Sequence, residues 1–458
     1  MNDIASAIIK IKALLGDRLN TSHAVRDLHG QNETYFQIML PDAVAFPNST
    51  DEVSKILKIC TQYNCPIIPW GVGTSLEGHA LPIRGGITVD LSNMNKVLKV
   101  QNEDMFAIVQ PGVTREFLNH ELRATGLFFS VDPGANATLG GMAATRASGT
   151  TTVRYGTMRE NVLAMEIVLS DGRIIRTGTR AKKSSAGYDL TKLFVGSEGT
   201  LGIITELTLA LQGQPEAISA AVCDFPTIKA AVNVVIMAIQ AGIPLARIEL
   251  IDEICIRAIN KYSKLDYPET PHLFMEFHGS NAGVADQSQT MAEIIKEFNG
   301  GDFQWSTKPE DRNKLWAARH QAYYATKALF PKQIGMSTDV CVPISKLAKA
   351  ISDTQDDLKE FNVVGTIIGH VGDGNYHTLL FCDPNNAKEL ERNKLLAHRM
   401  AQRALDVGGT VTGEHGIGMG KLDYMAQEHG EALNVMSDLK RLFDPKNIMN
   451  PGKMIDLN

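Results

Sequence analysis

The sequence predicts an α+β protein of two domains, each with helices packed against a sheet. At 458 residues the chain is longer than one ordinary domain. Short apolar runs alternate with segments of helical periodicity in both halves, and a polar segment with glycine and proline, 212–215, separates the halves. We therefore expect a first domain over 1–213, a second over 214–425, and a C-terminal segment over 426–458 that returns to the first domain.

The first domain opens with Ile and Leu residues at helical spacing over 1–18, which predicts a helix and not a signal peptide. Ser49 and Glu52 form a capping-box pattern at the start of a helix over 51–63. The expected buried face of that helix is Val53, Ile56, Leu57 and Cys60. Further predicted elements are strands over 67–68, 87–91, 106–110 and 201–211, a helix over 114–124, and a hairpin over 162–177 around Asp171-Gly172. This order favours an α+β unit over a βαβ nucleotide-binding fold.

The second domain shows the same mixture of patterns. The predicted helices are 228–240, 284–298, 309–329 and 345–361, and the predicted strands are 272–278 and 335–340.

Composition excludes several classes of protein. The formal net charge is −6, from 45 basic and 51 acidic residues, which argues against binding to nucleic acid. The six scattered cysteines indicate neither a zinc knuckle nor a disulfide framework, so we expect a reducing compartment. No apolar run reaches the roughly 18 residues of a membrane helix, so no transmembrane segment is expected. We expect a cytoplasmic location, with peripheral attachment to the inner membrane left open, and a homodimer is compatible with the sequence.

Two glycine-rich segments, the first glycine loop (69–79) and the second glycine loop (133–145), mark the first domain. In the first loop, glycines let the backbone N–H groups converge and hydroxyl groups add donors, a pattern that suits a phosphate or pyrophosphate. These residues are Gly71, Gly73, Thr74, Ser75 and Gly78. A plain structural turn is the competing interpretation. The loop is not the nicotinamide fingerprint, because no helix follows Gly78.

A possible metal centre is indicated in the second half. His370 and His377 bracket a Gly-Asp-Gly-Asn turn that can place the end of one strand beside the start of the next. Glu414 and His415 lie further on, between glycines. Two histidine nitrogens and one carboxylate oxygen form a common three-ligand divalent site with positions open to substrate. The competing interpretation is a pair of turn histidines that are satisfied by backbone hydrogen bonds.

Taken together, these segments resemble the FAD-binding proteins of the vanillyl-alcohol oxidase (PCMH) type, and among them the flavin-dependent D-2-hydroxyacid dehydrogenases. The resemblance runs from about residue 41 to the C-terminus, and segments 316–320 and 337–343 look most like the D-lactate branch. Other matching segments are 144–149, 153–157, 194–203 and 450–453. The resemblance implies a PCMH-type FAD-binding domain of two subdomains, followed by an α+β cap domain that binds substrate, with an antiparallel sheet and flanking helices.

The resemblance further implies the residues that bind FAD. Five residues of the first glycine loop would hold the pyrophosphate, His79 would lie near the flavin or the substrate, and Asn450 would return from the tail to the flavin. The full implied set is Gly71, Gly73, Thr74, Ser75, Gly78, His79, Pro133, Gly140, Gly141, Ser148, Gly149, Ile203 and Asn450. His79 stands where many relatives have glycine, and some flavoproteins bind FAD covalently through a loop histidine. The surrounding pattern favours noncovalent FAD.

The catalytic residues are also implied by the resemblance. His370, His377 and Glu414 would bind zinc or manganese, His415 would be the base, and Arg319 would pair with the substrate carboxylate. The reaction would be oxidation of a small D-2-hydroxy acid, in the first place D-lactate, to the 2-oxo acid. Hydride would pass to flavin N5 and the hydroxyl proton to His415, while the metal stabilises the forming alkoxide. The competing interpretation of Arg319 is a surface ion pair on its helix.

Several alternatives stay open. Leu379, two residues past His377, stands where hydroxyglutarate-like relatives have a polar residue, which favours a monocarboxylic substrate. The rival functions are a D-2-hydroxyglutarate or glycolate dehydrogenase, a flavin subunit of a multi-subunit oxidase without turnover of its own, and a metal hydrolase without flavin. Because no CxxCH motif is present, the electrons must pass to a cytochrome, a quinone, an electron-transferring flavoprotein or oxygen.

Overall fold

The structure is a computed structural model, and it describes residues 3–32, 34–181 and 183–457. The helices are α1 Ile4–Leu15, α2 His23–Leu28, α3 Thr50–Tyr63, α4 Arg115–Leu122, α5 Leu139–Thr145, α6 Thr152–Tyr155, α7 Met158–Asn161, α8 Leu190–Phe194, α9 Ile228–Gln240, α10 Glu253–Ser263, α11 Asn281–Glu297, α12 Pro309–His320, α13 Ala322–Leu329, α14 Ile344–Glu360, α15 Ala387–Asp406, α16 Met425–His429 and α17 Ala432–Phe443.

The strands are β1 Leu19–Asn20, β2 Ala43–Ala45, β3 Ile67–Trp70, β4 Ile87–Asp90, β5 Val97–Gln101, β6 Phe106–Val109, β7 Leu127–Phe128, β8 Val162–Val168, β9 Ile174–Gly178, β10 Ile203–Ala210, β11 Gln212–Gly213, β12 Ala217–Asp224, β13 Leu245–Ile251, β14 His272–Gly279, β15 Gln304–Ser306, β16 Ile334–Ser337, β17 Val340–Cys341, β18 Val364–His370 and β19 Asn375–Cys382.

The chain forms two compact units, and each is made of separate stretches of sequence. The first unit comprises the described chain up to Ser148, then Gly156–Gln214, then the chain from Glu414 onward. The second unit comprises Gly149–Tyr155 and Pro215–Gly413.

The first unit contains a four-stranded sheet in the order β1-β2-β4-β3. Both β2 and β3 run parallel to β4, and α3 connects them, so this sheet does contain a βαβ crossover. The predicted α+β class is confirmed, but the sequence did not reveal this crossover. The reason is that β2 is only three residues long, too short to show a strand pattern in the sequence.

Helix α3 covers this sheet with the face that its periodicity predicts. The four predicted core residues, Val53, Ile56, Leu57 and Cys60, are fully buried. Ser49 caps the helix by accepting the N–H of Glu52 across 3.3 Å. The reciprocal half of the predicted capping box is absent: the Glu52 carboxylate instead accepts the N–H of Asn48 and forms a two-bond pair with Arg18, at 2.6 Å for each bond. A charge-assisted pair of this kind is stronger than a neutral hydrogen bond to backbone.

A second sheet of the first unit is antiparallel, in the order β5-β6-β10-β8-β9. The predicted hairpin is confirmed, with Val168 opposite Ile174 on either side of the turn. The C-terminal stretch completes the first unit, because Met449 bridges Ile67 of β3 in parallel and is fully buried.

The second unit is built on one antiparallel sheet in the order β15-β12-β14-β13-β18-β19-β16, with β17 paired to β19. Helix α9 has the predicted bounds, and α11 and α14 differ from prediction by a few residues. The helix predicted over 309–329 is divided into α12 and α13, because Gln321 has ψ near zero and ends α12. The strand predicted over 335–340 is similarly divided into β16 and β17.

Candidate active site

A strand–turn–strand segment of the second unit carries His370 and His377. Strand β18 ends at His370, and Ile368 lies opposite His377 in the antiparallel pair. Gly374 in the turn has φ of +79°, a conformation that favours glycine. The imidazole centroids are 5.3 Å apart, and one nitrogen of each ring lies within 4.8 Å of the other. The turn therefore does bring the two histidines to one point, as the sequence predicts.

Each of the two histidines forms a hydrogen bond to a protein oxygen through Nδ1. Nδ1 of His370 lies 2.7 Å from Oε1 of Glu249, and Nδ1 of His377 lies 3.1 Å from the carbonyl oxygen of Thr338. Since a carboxylate and a carbonyl can only accept, each Nδ1 carries the hydrogen. In the neutral ring the lone pair is then on Nε2, which is the form that binds metals.

Arg319 lies near the end of α12 and also contacts Glu249. Its Nε and Nη2 lie 3.1 and 2.6 Å from Oε2 of that carboxylate. The Arg319 side chain is 12% exposed and that of Glu249 is 1% exposed, so the ion pair is buried and not on the surface. The role of Arg319 toward a substrate carboxylate stays a prediction.

In the first unit, the two glycine loops meet. A Cβ on Gly71 would lie 2.3 Å from the hydroxyl of Thr138, and one on Gly141 would lie 3.1 Å from it. That hydroxyl is buried and has no hydrogen-bond partner among the described residues. Because a buried hydroxyl without a partner is costly, this hydroxyl is suited to bind a polar ligand group.

The rest of the first glycine loop is held by close packing. A Cβ on Gly73 would lie 2.4 Å from the Trp70 ring, and one on Gly78 would lie 2.7 Å from Met419. Both glycines have positive φ. Thr74 is exposed and Ser75 is half-buried, so both hydroxyls can reach a ligand.

His79, at the end of this loop, is buried beside Glu198, with 3.2 Å between Nε2 and Oε1. Glu198 also accepts the backbone N–H groups of Ile417 and Gly418, at 2.7 and 2.8 Å. Burial alone raises the pKa of the Glu198 carboxyl, but His79 and the two N–H groups outweigh burial and hold this pKa below its usual range. Glu198 is therefore charged at neutral pH and ties His79 to the segment that follows His415.

Asn450 holds the same region from the C-terminal stretch. It adopts φ of +41°, and its Nδ2 donates to the carbonyl oxygens of His79 and Glu198 at 2.9 and 2.8 Å. Its Oδ1 is buried without a hydrogen-bond partner among the described residues. This oxygen is a second polar atom of the first unit that a bound ligand could satisfy.

His415 lies between two carboxylates of the first unit. Its Nδ1 is 3.9 Å from Oε1 of Glu77, and its Nε2 is 4.0 Å from Oε1 of Glu414. Lys421 Nζ lies 3.5 Å from the same Glu77 oxygen. The other oxygen of Glu414 accepts the hydroxyl of Ser148 at 2.7 Å. The predicted base, one predicted metal ligand and one predicted flavin residue are thus adjacent.

The remaining predicted flavin residues are dispersed. Gly140 packs on Pro111, Pro133 is half-buried in the second glycine loop, and Gly149 begins the short stretch that belongs to the second unit. Ile203 is 1% exposed and packs in the core of the four-stranded sheet. Their contact with FAD stays a prediction.

Sequence reasoning missed three residues that organise these sites: Glu249, Glu198 and Thr138. Glu249 carried a signal, because it and Arg247 are charged residues in the largely apolar strand β13. Glu198 has φ of +53°, which is unusual for a residue other than glycine but is not readable from sequence.

No helix among the described residues is long and apolar enough to span a membrane.

A family model described as "FAD linked oxidases, C-terminal domain" matches residues 214–454, and one described as "FAD binding domain" matches residues 41–178. The chain is 49% identical to "Probable D-lactate dehydrogenase, mitochondrial" of Danio rerio, over 99% of this chain and 92% of that protein. It is 46% identical to "D-lactate dehydrogenase (cytochrome), mitochondrial" of Arabidopsis thaliana, over 98% of this chain and 80% of that protein.

Among solved structures, p-cresol methylhydroxylase with substrate bound matches with a TM-score of 0.75 at 18% identity, over 99% of this chain and 97% of that chain. At this identity the likeness concerns the fold alone. Together with the matching FAD-binding model, it confirms the predicted PCMH-type α+β fold class.

Proposed function

Because this chain belongs to the family of FAD-linked oxidases, we propose that it oxidises D-lactate to the 2-oxo acid with FAD and passes the electrons to a separate acceptor. The observation that carries the proposal is the match to two proteins named as D-lactate dehydrogenases, over 92% and 80% of their lengths. The histidine pair of the second unit and the His415 region of the first unit supply the chemistry that such a reaction needs.

FAD suits the meeting point of the two glycine loops. The buried hydroxyl of Thr138, which has no hydrogen-bond partner among the described residues, could bind a polar group of the cofactor. Gly73, Thr74, Ser75 and Gly78 would add backbone and hydroxyl donors for the pyrophosphate. When bound, FAD accepts a hydride from the substrate carbon. His79 is engaged with Glu198, which supports noncovalent binding.

A divalent ion, zinc or manganese, suits the histidine pair. Both rings carry hydrogen on Nδ1 and so present the Nε2 lone pair. Gly413 packs against the Asn375 amide at the start of β19, and Glu414 is the next residue along the chain. We assign Glu414 as the third ligand on this ground and on the family pattern. A bound ion would stabilise negative charge that develops on the substrate hydroxyl oxygen.

His415 is assigned as the base that takes the hydroxyl proton. The neighbouring carboxylates of Glu77 and Glu414 favour the charged imidazolium once the proton has arrived. Arg319 is assigned to the substrate carboxylate, because a guanidinium forms two parallel hydrogen bonds with it and fixes which face of the substrate reacts.

The acceptor in this proposal is a cytochrome, since one relative carries that acceptor in its name. Both relatives are named as mitochondrial proteins. For this chain, a cytoplasmic location and a homodimer stay predictions.

The test is the absorbance spectrum of the purified FAD-loaded protein during anaerobic addition of substrate. We expect D-lactate to bleach the flavin bands and L-lactate to leave them unchanged, because one stereoisomer directs its hydrogen to the flavin. Bleaching by neither lactate would overturn the proposed substrate. Faster bleaching by glycolate or D-2-hydroxyglutarate would favour the alternative dehydrogenases.

A further inference from the structure

Glu249 is a buried carboxylate that contacts two of the predicted catalytic residues at once. We propose that it is a positioning residue that holds the metal ligand His370 and the substrate-binding Arg319 in one fixed arrangement. This inference rests on the proposed function and deepens it, because it couples the metal site to the recognition of the substrate carboxylate.

The contacts divide cleanly between the two carboxylate oxygens. Oε1 lies 2.7 Å from Nδ1 of His370. Oε2 lies 2.6 Å from Nη2 and 3.1 Å from Nε of Arg319. Glu249 itself is 0% exposed. A charge removed from water in this way is expensive unless it is paired and hydrogen-bonded, so both partners are required for Glu249 to stay in place.

The sheet fixes the position of this carboxylate. Glu249 lies in the middle of β13, with its neighbour Leu250 opposite Gly369 of β18. His370 is therefore one residue beyond a paired position, and α12 brings Arg319 to the same carboxylate. Strands and helices hold side chains more precisely than loops do.

Each contact has a chemical consequence. For His370, hydrogen on Nδ1 selects the tautomer whose Nε2 can bind a metal, and a carboxylate partner makes that nitrogen more basic. For Arg319, Glu249 uses Nε and one hydrogen of Nη2. The Nη1–Nη2 edge still carries N–H groups and has the geometry for a two-bond pair with a second carboxylate.

Glu276 provides a matched control on the neighbouring strand β14. It is also a buried glutamate and also joins a histidine to an arginine, with 2.7 Å to Nε2 of His278 and 3.6 Å to Nε of Arg247. Neither partner is a predicted ligand of the metal or of the substrate. Loss of charge at Glu276 therefore disturbs the same sheet without changing His370 or Arg319.

The test compares Glu249→Gln with Glu276→Gln in FAD-loaded protein that has been freed of metal with a chelator. Titration with Mn²⁺ or Zn²⁺, followed by calorimetry, measures metal affinity without any substrate. We expect Glu249→Gln to bind metal about 10- to 100-fold more weakly than wild type, because an amide has only one accepting atom. The KM for D-lactate should also rise, and Glu276→Gln should match wild type in both measurements. FAD content and circular dichroism confirm that each variant is folded.

If Glu249→Gln does not fold, Glu249→Asp keeps the charge but shortens its reach, and a smaller loss of metal affinity is expected. Wild-type metal affinity in the folded Glu249 variant, or an equal loss in Glu276→Gln, would overturn the inference. A wild type that binds neither ion overturns it as well. By contrast, a wild type that binds metal but is not bleached by D-lactate contradicts only the proposed substrate.

Discussion

Lys453 is a buried lysine whose contribution to the stability of the folded protein depends on pH. It is 1% exposed, and its Nζ donates to the carbonyl oxygen of Leu81 at 2.6 Å. Burial lowers the pKa of this amine from 10.5 to about 7, although Glu198 opposes the change. Between these two pH values the unfolded chain binds a proton that the folded protein does not. The contribution of Lys453 to the free energy of unfolding therefore rises with pH in that window.

Replacement of Lys453 by Met should remove this dependence. We expect the difference in free energy of unfolding between wild type and Lys453→Met to shift in favour of wild type from about pH 7 to about pH 10. Urea unfolding across that range measures it. Lys446→Met is the control, because Lys446 is an exposed lysine that also donates to a carbonyl, that of Thr61. The prediction would be contradicted if the difference in free energy of unfolding from wild type changed equally with pH in both variants.

His415→Ala tests the proposed base. We expect normal FAD and metal content but reduction of the flavin by D-lactate slowed by about 10²- to 10⁴-fold, because no other group is assigned to take the hydroxyl proton. Anaerobic stopped-flow absorbance measures the rate. His120→Ala, at an exposed histidine of the first unit, should reduce at the wild-type rate. A His415 variant as fast as wild type would refute the assignment.

At the scale of single residues, the sequence predicted that His370 and His377 meet but not which residues support them. The spacing of His370 and His377 around a glycine turn is visible in the chain, and the structure brings the rings together. The roles of Glu249 and Glu198 were not visible, because their partners are far away along the chain and meet them only through sheet pairing and loop packing.

At the scale of secondary-structure elements, the packing of helix α5 requires glycine at position 140. The N–H groups of Leu139 and Gly140 in its first turn donate to the carbonyls of Val113 and Pro111. A Cβ on Gly140 would lie 2.5 Å from Cβ of Pro111. The helix start can therefore sit on this segment only with glycine at 140.

Gly140→Ala should consequently destabilise the protein by about 1–3 kcal/mol, as overpacking does elsewhere. The shift of the unfolding midpoint in urea measures this cost. Gly213→Ala is the control, because nothing lies within 4 Å of its added Cβ, and it should unfold as wild type does. Wild-type stability in Gly140→Ala would show that Pro111 can move away.

Elements with strong periodicity were predicted well, and short ones were not. Helices α3 and α9 show amphipathic patterns over 14 and 13 residues, and their bounds agree with prediction to within a residue. Strand β2 has three residues and β17 has two, so neither carries a readable period. The βαβ crossover was not predicted because β2, its first strand, is too short to be recognised in the sequence.

At the scale of the whole molecule, the first unit is not a continuous piece of chain. Its four-stranded sheet needs Ile448 and Met449, which are buried in the same core as Cys60 and Ile67. Ile67 donates its N–H to Ile448 and accepts the N–H of Asn450, both at 2.8 Å. The stretch from Glu414 onward is therefore a structural part of the first unit.

This arrangement determines an order of events at the ribosome. When Gln214 has been made, the first unit still lacks the residues that close its core. These residues lie beyond Glu414, so residues 215–413 must be synthesised before them. At about 5–20 residues per second, this interval lasts roughly 10–40 s. Throughout it, Ile67 and Cys60 have no Met449 to cover them on the nascent chain, and by its end the second unit has its full sequence. The first domain to be translated is thus the last to be completed, and a chaperone has that interval in which to hold it.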